Sequence, residues 1–492
     1  MAARIATTAL LVAALGASGA SHAAGDQDKL MAQMKRLIER VEKLERRNSE
    51  LEARLAGGGS APALAVRVEA LEKANKDLAT GLGSDRFSEH EPELVTRLKA
   101  VEARTEAIAA PSRLADALDG IAVEASVAAV AQRVNGGARE DGKHESQLSW
   151  RGDVGITVPA GDIGRGSGEF FTQLRVGQGD SFTGLNPTFT GAFNSLAFQA
   201  GSGSEETYAI VAQAWYQLTT PVGESANTPH SLQVTVGKMD PFVFFDQNAI
   251  ADNEAEKFLN NVFVHNPILD SGGAVGADSY GFTPGLRLAY INESNAPESW
   301  QASVAMFGAG EGSGFGRSFS KPFVIGQLEY NRKSYGLDGN YRIYAWRNGQ
   351  FEGFDGESGR TTGWGLSVDQ QVHPDVTLFA RYGQSLSGKA AFDHALTVGT
   401  EITGNAWNRG SDSLGFALGW LRASDDFRDD APSLDDFGYA ARGAEQVAEL
   451  YYRWYLNEQL SLTPDLQYVR RPAANGDAKN VTTVGLRALY AF

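Results

Sequence analysis

Val484-Gly485-Leu486-Arg487-Ala488-Leu489-Tyr490-Ala491-Phe492 alternates its side-chain character and stops at a terminal Phe. A last strand with one apolar face, an aromatic end and an Arg on the other face suits a closed barrel in the bacterial outer membrane. On that reading Val484, Leu486, Ala488, Tyr490 and Phe492 face lipid, and Gly485, Arg487, Leu489 and Ala491 face a wet lumen. The alternative is a soluble sheet whose final strand closes the chain.

The opposite end supplies the compartment. Arg4, the apolar run Ile5 to Ala17 and the small-x-small site Ser21-His22-Ala23 read as a secretory signal peptide over residues 1–23. No later stretch is long and apolar enough for a transmembrane helix, so an exported chain that enters a membrane must do so as a barrel. Cysteine is absent, which removes disulfides, thiolate metal sites and C-x-x-C-H haem attachment. A net charge of −16 argues against a nucleic-acid partner. The 56 glycines and 10% aromatic residues suit frequent turns and ring girdles at two membrane interfaces.

Residues 24–137 read as an α-helical coiled-coil stalk in the periplasm. Leu30, Met34, Leu37, Val41, Leu44, Asn48, Leu51 and Leu55 keep a seven-residue repeat with Leu at d. After Gly57-Gly58-Gly59 the spacing resumes at Leu64, Val68, Leu71, Asn75 and Leu78, and again at Leu94, Leu98, Val101, Thr105 and Ile108. Beyond Pro111, Leu114, Leu118 and Ile121 continue it into an Ala-rich stretch that fades near Gly136-Gly137. Polar residues at single a positions, Asn48, Asn75 and Thr105, fix register in an oligomer. Leu at d with Val at a leans toward two strands, whereas outer-membrane barrels of this size are commonly trimers, and a homotrimer is the expectation adopted. The alternative is single amphipathic helices folded on the barrel mouth. A stalk of this length also allows contact with peptidoglycan or other cell-wall components.

From residue 146 to 492 the period changes to two. Fourteen alternating runs stand out: Leu148 to Val158, Phe170 to Val176, Ile210 to Leu218, Leu232 to Lys238, Gly285 to Tyr290, Ala302 to Phe307, Val324 to Tyr330, Asn340 to Arg347, Gly365 to Val372, Thr377 to Tyr382, Leu414 to Leu421, Glu449 to Leu456, Leu460 to Val469 and Thr482 to Phe492. Bacterial single-chain barrels have even strand numbers, and further strands near Phe189 to Phe198 and Gln350 to Phe354 bring the expected total to sixteen. The fold class is therefore an all-β, antiparallel transmembrane barrel behind a helical stalk.

Assigning faces by alternation gives a lumen set of Gln173, Arg175, Gln213, Trp215, Gln217, Arg287, Arg342, Tyr344, Trp346, Asp369, Arg381, Glu449, Arg453, Asp465, Gln467 and Arg487. Both charge signs line one cavity, unlike the single-sign rings of an ion-selective pore. Arg and carboxylate groups hydrogen-bond paired hydroxyls, and aromatic faces pack on sugar rings, so this mixture suits a neutral polyhydroxy solute. The alternative is that each is an ordinary, water-solvated lumen residue.

Two segments carry a family resemblance. Gly237-Lys238-Met239-Asp240-Pro241, Asp246-Gln247-Asn248 and Glu254 through Lys257-Phe258-Leu259-Asn260 form the first. Glu445 to Tyr455, with Glu449-Leu450-Tyr451-Tyr452-Arg453-Trp454 at its centre, Leu460 to Val469, with Leu462-Thr463-Pro464-Asp465-Leu466-Gln467-Tyr468, then Pro472 and Gly485-Leu486-Arg487 form the second. The chain resembles the carbohydrate-selective porins of the OprB type. The resemblance implies a sixteen-stranded channel through which sugars and similar solutes diffuse passively. The stalk lies outside the simplest members. In the first segment, Asp252 to Glu256 reads as a short helix with Asp252 as a possible N-cap. It either narrows the lumen or packs under the rim through Phe258 and Leu259. Asp246, Asn248 and Glu254 are its candidate constriction residues.

No enzyme signature competes: there is no G-x-S-x-G nucleophile elbow, and the seven His residues lack metal spacing. The Asp425-Asp426, Asp429-Asp430 and Asp435-Asp436 pairs read as a solvated loop, so neither cofactor nor metal is expected. Two further readings stay open, a structural anchor joining the outer membrane to the cell wall and a general or anion-preferring porin.

Overall fold

The computed structural model describes residues 120–139, 141–182, 185–197, 206–223, 228–270, 280–308 and 320–492. The signal peptide and the heptad runs before residue 120 lie outside the described residues.

Sixteen strands form one closed antiparallel barrel. They are β1 (Ala122–Val134), β2 (Glu145–Ile163), β3 (Gly166–Gln178), β4 (Thr207–Pro221), β5 (His230–Met239), β6 (Thr283–Asn295), β7 (Glu298–Phe307) and β8 (Phe323–Ser334). They continue as β9 (Leu337–Asn348), β10 (Thr361–His373), β11 (Val376–Ser387), β12 (Phe392–Thr403), β13 (Ser413–Ala423), β14 (Ala444–Tyr455), β15 (Leu460–Arg470) and β16 (Val481–Ala491). Closure is made by β1 against β16, from Ser126↔Ala491 to Val134↔Thr483. No sheet edge is left unpaired, which is the condition for strands to cross hydrocarbon. Short turns at 164–165, 296–297, 335–336 and 374–375 lie at one end, and the long connections 179–206, 240–282 and 424–443 at the other.

The terminal strand obeys the expected alternation. Leu486 and Phe492 are 47% and 57% exposed on the outer wall, whereas Arg487 is 1% exposed inside. The expected strand total also holds, but two of its members differ.

The barrel begins at Ala122, not near Ser146, so the Ala-rich stretch assigned to the end of the stalk is a strand. Its inward residues Ala128 and Val130 are apolar because Leu196 and Leu259, from loops inside the barrel, pack on them. An apolar lumen face erased the polar alternation and left a composition that reads as helix. The other strand missed in the sequence is β12, where Asp393 and His394 follow a register shift and polar residues occupy both faces.

The two segments assigned as strands in their place are loops. Phe189 and Phe193 are buried inside the barrel, where Phe189 meets Phe392 and Phe427 at ring-centroid distances of 5.3 and 5.4 Å. Phe351 is likewise buried and Phe354 packs on Phe427. Their apolar periodicity records packing inside the barrel mouth, not contact with lipid.

The connection between β5 and β6 folds into the barrel. Over residues 240–270 it forms a strap with two single-turn helices, α1 (Asn261–Val264) and α2 (Pro267–Asp270). Asn260 caps α1 through Val262 N–H at 3.1 Å. The helix expected over Asp252 to Glu256 is absent. A single turn stands there, with the Asn253 carbonyl accepting from Lys257 N–H at 2.7 Å and the Asp252 carboxylate from Asn248 N–H at 3.3 Å. Immediately after it Phe258 and Leu259 are fully buried against the wall. Phe258 meets Tyr451, Phe263 and Phe379 at 5.0, 5.5 and 5.8 Å. Truncating this fully buried ring by Phe258→Ala is expected to cost about 3–5 kcal/mol. Guanidinium unfolding of the refolded barrel reads the loss.

Candidate functional site

The strap is held at several places, and one buried carboxylate carries the first. Asp246 Oδ1 accepts from Tyr344 Oη at 2.6 Å and from Arg381 Nε at 3.1 Å, and its Oδ2 accepts from Asn266 N–H at 2.6 Å. Arg381 also donates to the carbonyls of Asp246 and Phe263, each at 2.8 Å. Both charged side chains are fully buried. Asp246 takes a left-handed backbone, φ 58°, which turns its carboxylate back toward Arg381.

Arg487 makes the second attachment. Its guanidinium donates to the carbonyls of Lys257, Glu254 and Glu256 at 2.8, 2.9 and 2.9 Å. Glu449 makes the third by accepting from Leu259 and Asn260 N–H at 2.6 and 3.0 Å. Gln467 adds a fourth, accepting from the Asn260 amide at 3.0 Å while donating to the Phe193 carbonyl at 2.8 Å. Asn248 supplies a fifth, reaching Ser367 and the Val368 carbonyl at 3.3 Å each.

Tyr344, Arg381, Glu449 and Arg487 thus reach inward from the wall to the strap, and Asp246 and Asn248 reach from the strap back to the wall. Trp346 belongs with Tyr344 to a buried apolar cluster beside Phe245 and Phe307. Asp465 accepts from Gln467 at 2.9 Å and braces that attachment.

Of the remaining candidates, Arg453 and, through Asp153 and Arg151, Arg175 reach the edge of the strap between residues 252 and 257, whereas Gln213, Trp215 and Arg287 lie beside its start at Asp240 and Phe244, and Arg342 and Asp369 pair with each other on the wall. Arg151 bridges Asp153 at 2.8 Å and Glu254 at 2.6 Å, and Arg175 joins the same Asp153 at 2.6 Å. Arg453 pairs with Glu256 at 2.9 Å, and Lys257 with Glu401 at 2.5 Å. On the facing strands Arg342 is shared by Asp369 and Glu329 at 3.0 and 3.1 Å. Gln213 donates to Gln173 at 2.8 Å, and Trp215 stacks on Phe171 with centroids 4.9 Å apart. Arg287 has no carboxylate at contact. It donates to Gln233 at 3.1 Å and lies 4.8 Å above the Phe244 ring.

Sequence reading named none of Arg151, Asp153, Glu256, Lys257, Glu401 and Glu445 as a site residue, although Glu256, Lys257 and Glu445 lie within the segments that carry the resemblance. The first two were recoverable, since they share the inward face of the Leu148 to Val158 run. Glu401 lies on β12, and Glu445 holds Phe189 and Thr190 by accepting from their N–H groups at 2.7 and 2.8 Å, and ties them to the β15–β16 connection by accepting from Ala473 N–H at 2.7 Å.

The electrostatics of the strap edge set a pH window. Burial alone would push the Glu254 carboxyl up, but Arg151 and Arg175 outweigh it and hold it at about 2. A depressed carboxylate contributes stability above its unfolded value near 4.5, and loses it as pH falls toward 2. The parent barrel is therefore expected to lose on the order of 3 kcal/mol below pH 4.5 through this group. Glu254→Gln is expected to flatten that part of the stability curve, measured by thermal unfolding from pH 7 to 3.

A model of the carbohydrate-selective porins, OprB family, matches residues 163–492. The chain belongs to the OprB family. Porin B of Pseudomonas aeruginosa is 23% identical over 171 residues, covering 30% of this chain and 38% of that protein. The OprB-family chain therefore spans well under half of that curated relative in the match. A solved OprB structure from Pseudomonas putida superposes with a TM-score of 0.63 at 19% identity, covering 77% of this chain and 96% of that one. At that identity the superposition speaks for the barrel fold. Family and fold give a channel architecture resident in the outer membrane.

Proposed function

We propose that this protein is a passive channel for small, largely neutral sugars, with its selectivity set at the strap edge. The observation that carries the reading is the pairing of charges at that edge and on the wall strands β8 to β10. Arg151, Arg175, Arg342, Arg453 and Lys257 each contact a carboxylate. A lumen so neutralised in pairs offers donors and acceptors at close range without the single-sign field that selects an ion. Paired hydroxyls can replace or bridge such contacts, and the half-buried Trp215 face beside Gln213 offers a surface for a sugar ring.

Arg342→Ala and Arg453→Ala test the reading. Each removes a guanidinium from the lumen and frees its carboxylate partners. Conductance is expected to rise, and sugar block to weaken about fivefold for each hydrogen bond of about 1 kcal/mol lost. Sugar block that is unchanged in both variants would remove these two residues from the path. Swelling of proteoliposomes in neutral sugars against sugar acids separates this reading from an anion-preferring porin. Assembly as a homotrimer, and contact of the heptad-bearing residues before 120 with peptidoglycan, belong to the same proposal. Crosslinking in membranes and cosedimentation with cell-wall fragments test them.

A further inference from the structure

The outer wall carries its positive charge unevenly. Val127, Trp420 and Tyr468 are exposed on the lipid-facing side of β1, β13 and β15. Following each strand's outward face to its long-loop end leads to Arg133, Arg422 and Arg470, all exposed. At the short-turn end of the same three strands the outward residues are Val123, Leu414 and Leu460, with no charge among them.

These strands lie in the barrel order β13, β14, β15, β16, β1. With strands about 4.8 Å apart, the three guanidinium-bearing positions are spaced about 10 Å around the wall. Between them stand only neutral outward groups, Gln446 on β14 and Thr482 on β16. Among the described residues the Arg133 side chain makes no hydrogen bond or ion pair, and Arg470 donates to Gln446 at 3.4 Å. Arg422 is the one member with a carboxylate, Asp393 at 2.6 Å. The arc therefore keeps an excess of positive charge on a chain of net charge −16.

In outer-membrane barrels the long loops face the cell exterior, so this arc lies where the apolar band gives way to the headgroups of the outer leaflet. Trp420 and Tyr468 stand one step below it, as amphipathic rings do at such an interface. Guanidinium groups bind phosphate bidentately, which suits a phosphorylated headgroup better than a sugar alone. We propose that Arg133, Arg422 and Arg470 form a binding arc for the phosphate groups of lipid A on the outer wall of the barrel. The arc is separate from the lumen and from solute passage.

The test uses full-length protein in phosphatidylethanolamine vesicles with and without lipid A. Retained lipid A is measured after detergent washing, and folding is confirmed by heat-modifiable gel migration. Retention is expected to fall about fivefold for each guanidinium removed in Arg133→Gln, Arg470→Gln and the triple Gln variant. The matching Lys variants, which keep the charge, are expected to retain most of it. Arg133→Gln breaks no contact within the barrel, so it remains informative if the triple variant fails to insert. Parental retention in Arg133→Gln would overturn the proposal. Equal retention of dephosphorylated lipid A, or of phosphatidylglycerol, by the parent would overturn it as well.

Discussion

A chain lacking residues 24–119 is expected to insert as a conducting, heat-modifiable barrel, whereas one lacking 24–134 is expected not to insert. The two deletions differ by little more than β1, yet β1 makes both closing ladders, to β16 and to β2. Without it two strand edges would meet hydrocarbon, where each unsatisfied backbone group costs several kcal/mol. No side-chain repacking offsets a row of such groups. Insertion of the longer deletion would show that another segment can take the place of β1. Failure of the shorter one would make residues before 120 part of assembly.

The second large effect is expected at Arg381. Arg381→Ala removes an ion pair and two bonds to strap carbonyls, and leaves the Asp246 carboxylate buried with Tyr344 and Asn266 N–H as its remaining partners. Breaking a fully buried pair by removing one partner costs about 3–5 kcal/mol. The strap is also tied to Arg487 and Glu449, so the barrel is expected to survive while residues 244–266 loosen. Single channels should then show a larger and noisier open step. Asp246→Asn in the Arg381→Ala background removes the stranded charge and is expected to restore part of the stability without restoring the open step of the parent. A double variant no more stable than Arg381→Ala would mean that the buried charge is not the source of the loss.

Much of this architecture was legible because a barrel wall enforces period two wherever one face meets lipid and the other meets polar groups. Arg487 between Leu486 and Ala488, or Arg342 between Tyr341 and Ile343, places itself by that rule alone. The rule failed where the inner face is covered by loops. Val130 faces Leu259 instead of water, so β1 read as helix, and Phe189 and Phe193 read as strand because they are buried without being in the wall. Side-chain direction was therefore readable, but what stands opposite each side chain was not. Arg381 and Glu449 were recognised as inward-facing, but their use as strap attachments depends on contacts across more than a hundred residues of sequence. The strap motif itself announced that residues 246–260 were special. It could not show that Asn253 and Asn260 organise its turns in place of Asp252, since all three residues favour such positions.

The most direct test of the account is single-channel conductance of the full-length protein in a planar bilayer, titrated with mono- and oligosaccharides at fixed salt. Open steps blocked by sugar in a saturable manner, with the block weakened in Arg453→Ala, are the expected result. Steps indifferent to every sugar, or no conductance from correctly folded protein, would contradict it.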